Sequence, residues 1–178
     1  NSVDMKSRYT LTSLDPIHTW SMDLAEDLEE CDQSTYFQRI LRSSKRPFEL
    51  FMGDTIHIER PSHWWFTETH INDHEGEVGC ICKRFSLFKR RYDLFMLGLG
   101  VVGYTASAFW KPQTFEVYVQ SGQKVADIKQ KGSGVFKDTL TDADSLIIDV
   151  DSALSYDERL MIITLAICID FDFFEKQR

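Results

Sequence analysis

From residue 9 to residue 150 short apolar runs alternate with polar positions, and after Ser155 the alternation gives way to one solid apolar block. Period-two alternation bounded by Gly, Pro, Asn and Asp marks strands on a half-buried sheet. It predicts strands at 9–14 and 19–24 around Asp15-Pro16, then at 48–52 and 55–59 around Gly53-Asp54. In the second pair Ile56 and Ile58 alternate with His57 and Glu59, and Gly53 suits the positive φ of a hairpin turn. Further strands are expected at 66–71 and 79–85 across a polar loop at 72–76, and at 91–97 and 101–109. The last ones fall at 115–120 and 125–130 across Ser121-Gly122, and at 146–150. Residues 34–43 place Tyr36, Phe37, Ile40 and Leu41 on one face and suit a short helix, while 26–32 reads as an acidic, solvated loop.

The block after Ser155 is predicted to be helical. Ser155 followed three residues later by Glu158 is a capping box, and Asp157 and Glu158 sit at the positive end of the helix. Residues 160–169 are apolar on nearly every side, so the helix belongs inside a core or a bilayer. A bilayer span takes about 20 apolar residues, and Asp170 and Asp172 end the run well before that. Asp157, Thr164, Cys168, Asp172 and Glu175 trace one narrow polar stripe along it. The expectation is a central helix over 155–176 wrapped by strands. In fold terms this is a mainly β chain, a closed antiparallel barrel around a buried helix, in a single domain over 1–178.

Composition agrees with a packed core, with 43% apolar residues and 13 Phe. A net charge of −8 and a pI near 5.1 argue against non-specific nucleic-acid binding, so an anionic partner must meet a local basic patch. Cys80 and Cys82 lie two apart on one expected strand and Cys168 lies in the apolar helix. With Cys31 they do not make a disulfide framework, and a reducing, intracellular compartment is expected. Residues 1–6 hold no signal-peptide apolar region, and the chain starts at Asn1 rather than Met, so a processed or trimmed chain is expected.

At Thr141-Asp142-Ala143-Asp144, and in the helix ending Ile169-Asp170-Phe171-Asp172-Phe173-Phe174-Glu175, the chain resembles the phospholipid scramblase family. That family's domain has the tubby C-terminal-like fold. Arg46-Pro47-Phe48, Glu59-Arg60-Pro61, Gly79 within Val78-Gly79-Cys80-Ile81, and Phe115-Glu116-Val117 match further landmarks, so the resemblance runs from about residue 8 to 175. It implies a barrel of about twelve strands threaded by the C-terminal helix. It also implies calcium-dependent movement of phospholipids between leaflets, lipid binding, and a plasma-membrane, nuclear or mitochondrial location. The family's calcium segment falls at 142–153, which offers Asp142, Asp144, Asp149 and Asp151 as oxygen ligands. Ala153 stands where the closing acid is expected and Ile147 where the loop needs Gly, so any calcium site here is expected to be weak. Asp149 and Asp151 also fit the outward positions of a strand. Ser62-His63-Trp64-Trp65-Phe66 replaces the family's acylation cysteines, and the family's proline-rich N-terminal arm is not in this sequence.

The residues suggest one surface for contact with lipid or a partner. Lys83, Arg84, Lys89, Arg90 and Arg91 flank Phe85-Ser86-Leu87-Phe88, a basic loop with aromatics that suits anionic headgroups. Trp64 and Trp65 add side chains that favour the headgroup level. A solvated turn, a partly buried Trp pair, or a protein interface are the plainer readings of the same residues. Gly98-Leu99-Gly100-Val101-Val102-Gly103 spells GxGxxG, but no helix follows it and no acid lies where a dinucleotide site needs one. His63, His70 and His74 fit no zinc spacing, and Cys31 lies among acids that disfavour its thiolate. Asp170, inside the apolar helix, is expected to be buried and structural, capping or pairing with backbone. No enzyme active site and no required cofactor are expected.

The functional expectation is a membrane-associated protein that binds phospholipid or moves it between leaflets. The alternative is a non-enzymatic scaffold or accessory subunit of a larger assembly, with a mitochondrial membrane among the candidates. The partners expected are a phospholipid membrane or a membrane-protein complex, and not a nucleic acid.

Overall fold

A computed structural model describes residues 8–12, 21–26, 47–61, 67–85, 90–107, 114–131 and 145–174. The chain is mainly β. Eleven strands pair consecutively and antiparallel in one sheet: β1 (Arg8–Thr12), β2 (Ser21–Glu26), β3 (Phe48–Met52), β4 (Ile56–Arg60), β5 (Thr67–Asp73), β6 (Gly76–Arg84), β7 (Arg90–Met96), β8 (Gly100–Ser107), β9 (Thr114–Val119), β10 (Lys124–Lys131) and β11 (Ser145–Val150). Among the described residues no pairing joins β1 to β11. One helix follows, α1 (Tyr156–Ile169), extended by a π-helical turn at Asp170–Phe174. Asp15-Pro16, Cys31, the helix expected at 34–43 and residues 175–178 lie outside the described residues.

The period-two pattern becomes burial. In β3 and β4 the inward positions Phe48, Leu50, Met52, Ile56, Ile58 and Arg60 are buried, and their neighbours are not. The hairpin between β5 and β6 is tighter than the polar loop at 72–76. Asn72, Asp73 and Gly76 belong to the strands, and the Asp73 carboxylate accepts from the backbone N–H groups of Glu75 and Gly76. An Asx-type turn of this kind lets polar residues run right up to the hairpin tip. The GxGxxG stretch is likewise a hairpin. Gly98 and Gly100, at φ 77° and 71°, turn β7 into β8, and Leu97 and Leu99 stand 69% and 71% exposed there.

Ser155 caps α1 as expected, its side chain accepting from the Glu158 N–H while Glu158 accepts from the Ser155 N–H. Residues 160–162 and 164–169 are buried, and only Ile163 of that run is half-buried. The helix lies against β5, β6 and also β11. Strands so far apart in the sheet reach one helix only because the sheet bends around it. Gly79 of β6 permits the approach: a Cβ there would sit 2.2 Å from the Phe95 carbonyl oxygen and 3.2 Å from the Met161 sulfur. No helix among the described residues is long and apolar enough to cross a membrane.

Candidate functional site

The densest polar chemistry lies where α1 ends. Arg60, Lys83 and Tyr92 occupy inward positions on β4, β6 and β7, in phase with Ile58, Ile81 and Leu94. The π-helical turn meets them, placing Phe171 in the core, stacked on Phe48 at 4.4 Å, and burying Asp172. Asp172 accepts from Arg60 Nη1 at 2.9 Å and from the Tyr92 hydroxyl, and pairs with Lys83 Nζ at 3.1 Å. Arg60 Nε donates to Thr69 Oγ1 at 3.0 Å, which also accepts from Cys168 at 3.4 Å. The Arg60 guanidinium covers the Phe48 ring as well. Of the polar stripe along the helix, Thr164, Cys168 and Asp172 are buried, Asp157 is half-buried, and Glu175 lies outside the described residues.

Electrostatics make this end basic and unreactive. Burial works against the Arg60 charge, but Cys168, Asp172 and Tyr92 outweigh it and hold its pKa above the ordinary value. Burial, reinforced by Asp172, pushes the Tyr92 hydroxyl well up, and burial raises the Cys168 thiol. Neither is a nucleophile near neutral pH. At the outer edge Lys83 and Arg90 share the Phe173 ring, 4.8 and 4.0 Å from its centroid, and desolvation lowers the Arg90 pKa. Two cations thus pair with one carboxylate at the C-terminal end of a helix, where the macrodipole favours positive charge, and Arg90 covers the adjacent Phe173 ring.

The basic loop expected from the sequence is divided by the sheet. Lys83 and Arg84 are on β6, Arg90 and Arg91 on β7, and successive strand residues point to opposite faces. Lys83 and Arg90 go to Asp172 and Phe173. Arg84 and Arg91 go to the other face, where both hold Asp93, at 2.7 and 2.9 Å. Arg91 also covers Tyr104, which stacks on Tyr118. Phe85 is 89% exposed. Lys89, Trp64 and Trp65 lie outside the described residues.

Asp170 is buried at 2% exposure, and its backbone N–H donates to the Ala166 and Ile167 carbonyls. It is not the only buried acid, because Asp172 is equally buried and Asp93 nearly so. Of the calcium candidates, Asp142 and Asp144 lie outside the described residues. Asp149 and Asp151 are exposed, and the Asp151 carboxylate accepts from the Ala153 N–H in the turn leading to α1. Among the described residues no three His, Cys, Asp or Glu side chains gather to hold a metal. Sequence reading missed Arg60, Thr69 and Tyr92. The available signal was the strand phase, which turns Arg60 and Tyr92 inward, together with an acid in the helix stripe to receive them.

Residues 8–176 match the family model described as Scramblase. A Saccharomyces cerevisiae protein, Altered inheritance rate of mitochondria protein 25, is 27% identical over 164 residues, covering 77% of this chain and 50% of that protein. The chain therefore spans about half the length of the curated relative it matches. No solved structure matches the chain. The match runs through all eleven strands and the whole of α1, and on that extent the chain belongs to the scramblase family.

Proposed function

We propose that this chain is a non-enzymatic phospholipid-binding protein that meets anionic headgroups at the end of the sheet where α1 terminates. One observation carries the reading: Lys83 and Arg90 share the Phe173 ring at a partly solvent-accessible edge. A phosphodiester there meets Arg90 beside the Lys83 that pairs with Asp172, and a basic residue near a charged surface is worth about 1 kcal/mol. The family adds leaflet-to-leaflet lipid movement as the activity such binding serves. The sheet, already bent round α1, is proposed to close into the family's barrel of about twelve strands. Slow amide exchange along both β1 and β11 is the expected sign of closure, and fast exchange on either edge contradicts it.

Vesicle flotation tests the binding. Wild-type protein floats with vesicles containing anionic lipid, more weakly as salt rises, and Arg90→Gln lowers the affinity by about fivefold. A variant that floats like wild type overturns the reading. Leaflet-specific quenching of a labelled lipid on the same vesicles then measures movement.

The Leu97–Leu99 hairpin tip supports a second reading, a docking subunit of a membrane assembly, since paired exposed leucines suit a protein groove. The name of the yeast relative makes a mitochondrial membrane the first location to examine. Loss of comigration with a large complex in Leu97→Ser/Leu99→Ser, with flotation unchanged by Arg90→Gln, places this reading first.

A further inference from the structure

The face of β6 turned away from α1 carries a second cluster that the lipid reading does not use. Cys80 and Cys82 stand two residues apart on that face with their sulfurs 3.9 Å from one another. Across the β5–β6 register His70 opposes Cys80 and Glu68 opposes Cys82, while Phe95 and Asp93 oppose them on β7. Cys80 is half-buried and Cys82 buried, so access is from the Cys80 side. A tetrahedral cation with metal–sulfur bonds of about 2.3 Å spans two thiolates about 3.8 Å apart. The pair already stands near that spacing on a rigid strand, so binding needs almost no rearrangement of the backbone.

We propose that Cys80 and Cys82 form a bidentate thiolate site for a soft, thiophilic cation of the Zn2+ and Cd2+ class, completed by solvent or a small exogenous donor. No third protein ligand of the usual types joins them among the described residues, so the site is open and exchanging rather than a structural cage. Glu68 adds negative potential at both sulfurs, which favours a cation. Binding breaks two S–H bonds, forms two metal–sulfur bonds and releases two protons to solvent. Without metal the pair is inert, because burial raises both thiols, Cys82 to about 12. The cluster faces away from Asp172 and Phe173, and its test reads metal binding rather than lipid.

The test is a Cd2+ titration of the reduced, full chain, followed by the ultraviolet thiolate-to-cadmium band and by proton release. One ion per chain, two protons per ion and competition by Zn2+ are expected. Cys80→Ser and Cys82→Ser, each checked for an unchanged circular dichroism spectrum, lose affinity by more than about 100-fold, since even an outer-shell partner is worth about 10–100-fold. Cys31→Ser binds like wild type. The proposal is overturned if the folded wild type shows no band, if either β6 variant keeps it at wild-type affinity, or if Cys31→Ser abolishes it.

Discussion

Two buried aspartates each draw one cation from β6, and they differ in how far the cations around them reach water. Asp172 sits between sheet and helix with its side chain fully buried, held by Arg60, Lys83 and Tyr92. Asp93 lies on the other face of β7, held by Arg84 and Arg91, whose side chains are 44% and 52% exposed. In water an ion pair contributes little, because solvent screens the attraction and two long side chains lose freedom. In a core the attraction is stronger, but so is the cost of leaving either charge alone. The Asp172 cluster therefore fixes how the end of α1 docks, and the Asp93 clamp sets how much free positive charge the outer face shows.

Asp172→Ala gives the largest expected effect. It strands the buried Arg60 charge and costs about 3–5 kcal/mol, a fall in Tm of roughly 10 °C for a chain this long. Calorimetry checks it, and restoration by Arg60→Met in the same chain identifies the stranded charge as the cause. A loss under about 1 kcal/mol would erase the distinction between the two clamps.

Alkaline titration sharpens the same contrast. Burial raises the Cys168 thiol, so above the ordinary thiol range near 9 the unfolded chain loses a proton that the folded one keeps. The native state then binds more protons, and stability falls as pH rises, by about 1.4 kcal/mol per pH unit for one such group. Urea melts from pH 8 to 10 should show the decline beginning near 9, and Cys168→Ala should make it shallower. An unchanged slope in that variant assigns the decline to other groups.

Asp93→Asn has the smallest effect on stability, about 0.2–1 kcal/mol and weaker at high salt. It releases Arg84 and Arg91 from their partner. If the outer face also meets lipid, affinity for anionic vesicles rises, and if only the Phe173 edge does, flotation stays at the wild-type level. Flotation of this variant beside Arg90→Gln therefore says which face of β6 and β7 turns to the membrane.

The limits of sequence reading follow from the same residues. Strand positions, the hairpin at Gly53 and the capped helix were legible because each is set by neighbours in the chain: alternation, turn chemistry and the Ser155–Glu158 exchange. The basic stretch was legible as composition but not as a surface. Read along the chain, Lys83, Arg84, Arg90 and Arg91 form one patch, yet the pleat sends alternate members to opposite faces, where Asp172, far off in sequence, engages Lys83, and Asp93, close by on β7, engages Arg84 and Arg91.

By itself, then, the sequence determined the period of each element, the capped start of α1, the burial of the helix block and the family. Those properties are local, or are summed over the whole chain. Only the tertiary structure decided that Asp172 meets Arg60 across 112 positions of sequence, that the Cys80 and Cys82 sulfurs stand 3.9 Å apart, and which carboxylate each group of cations meets. Strand phase fixes which way a side chain points, but what it meets there depends on which distant strand the sheet's curvature brings against the helix.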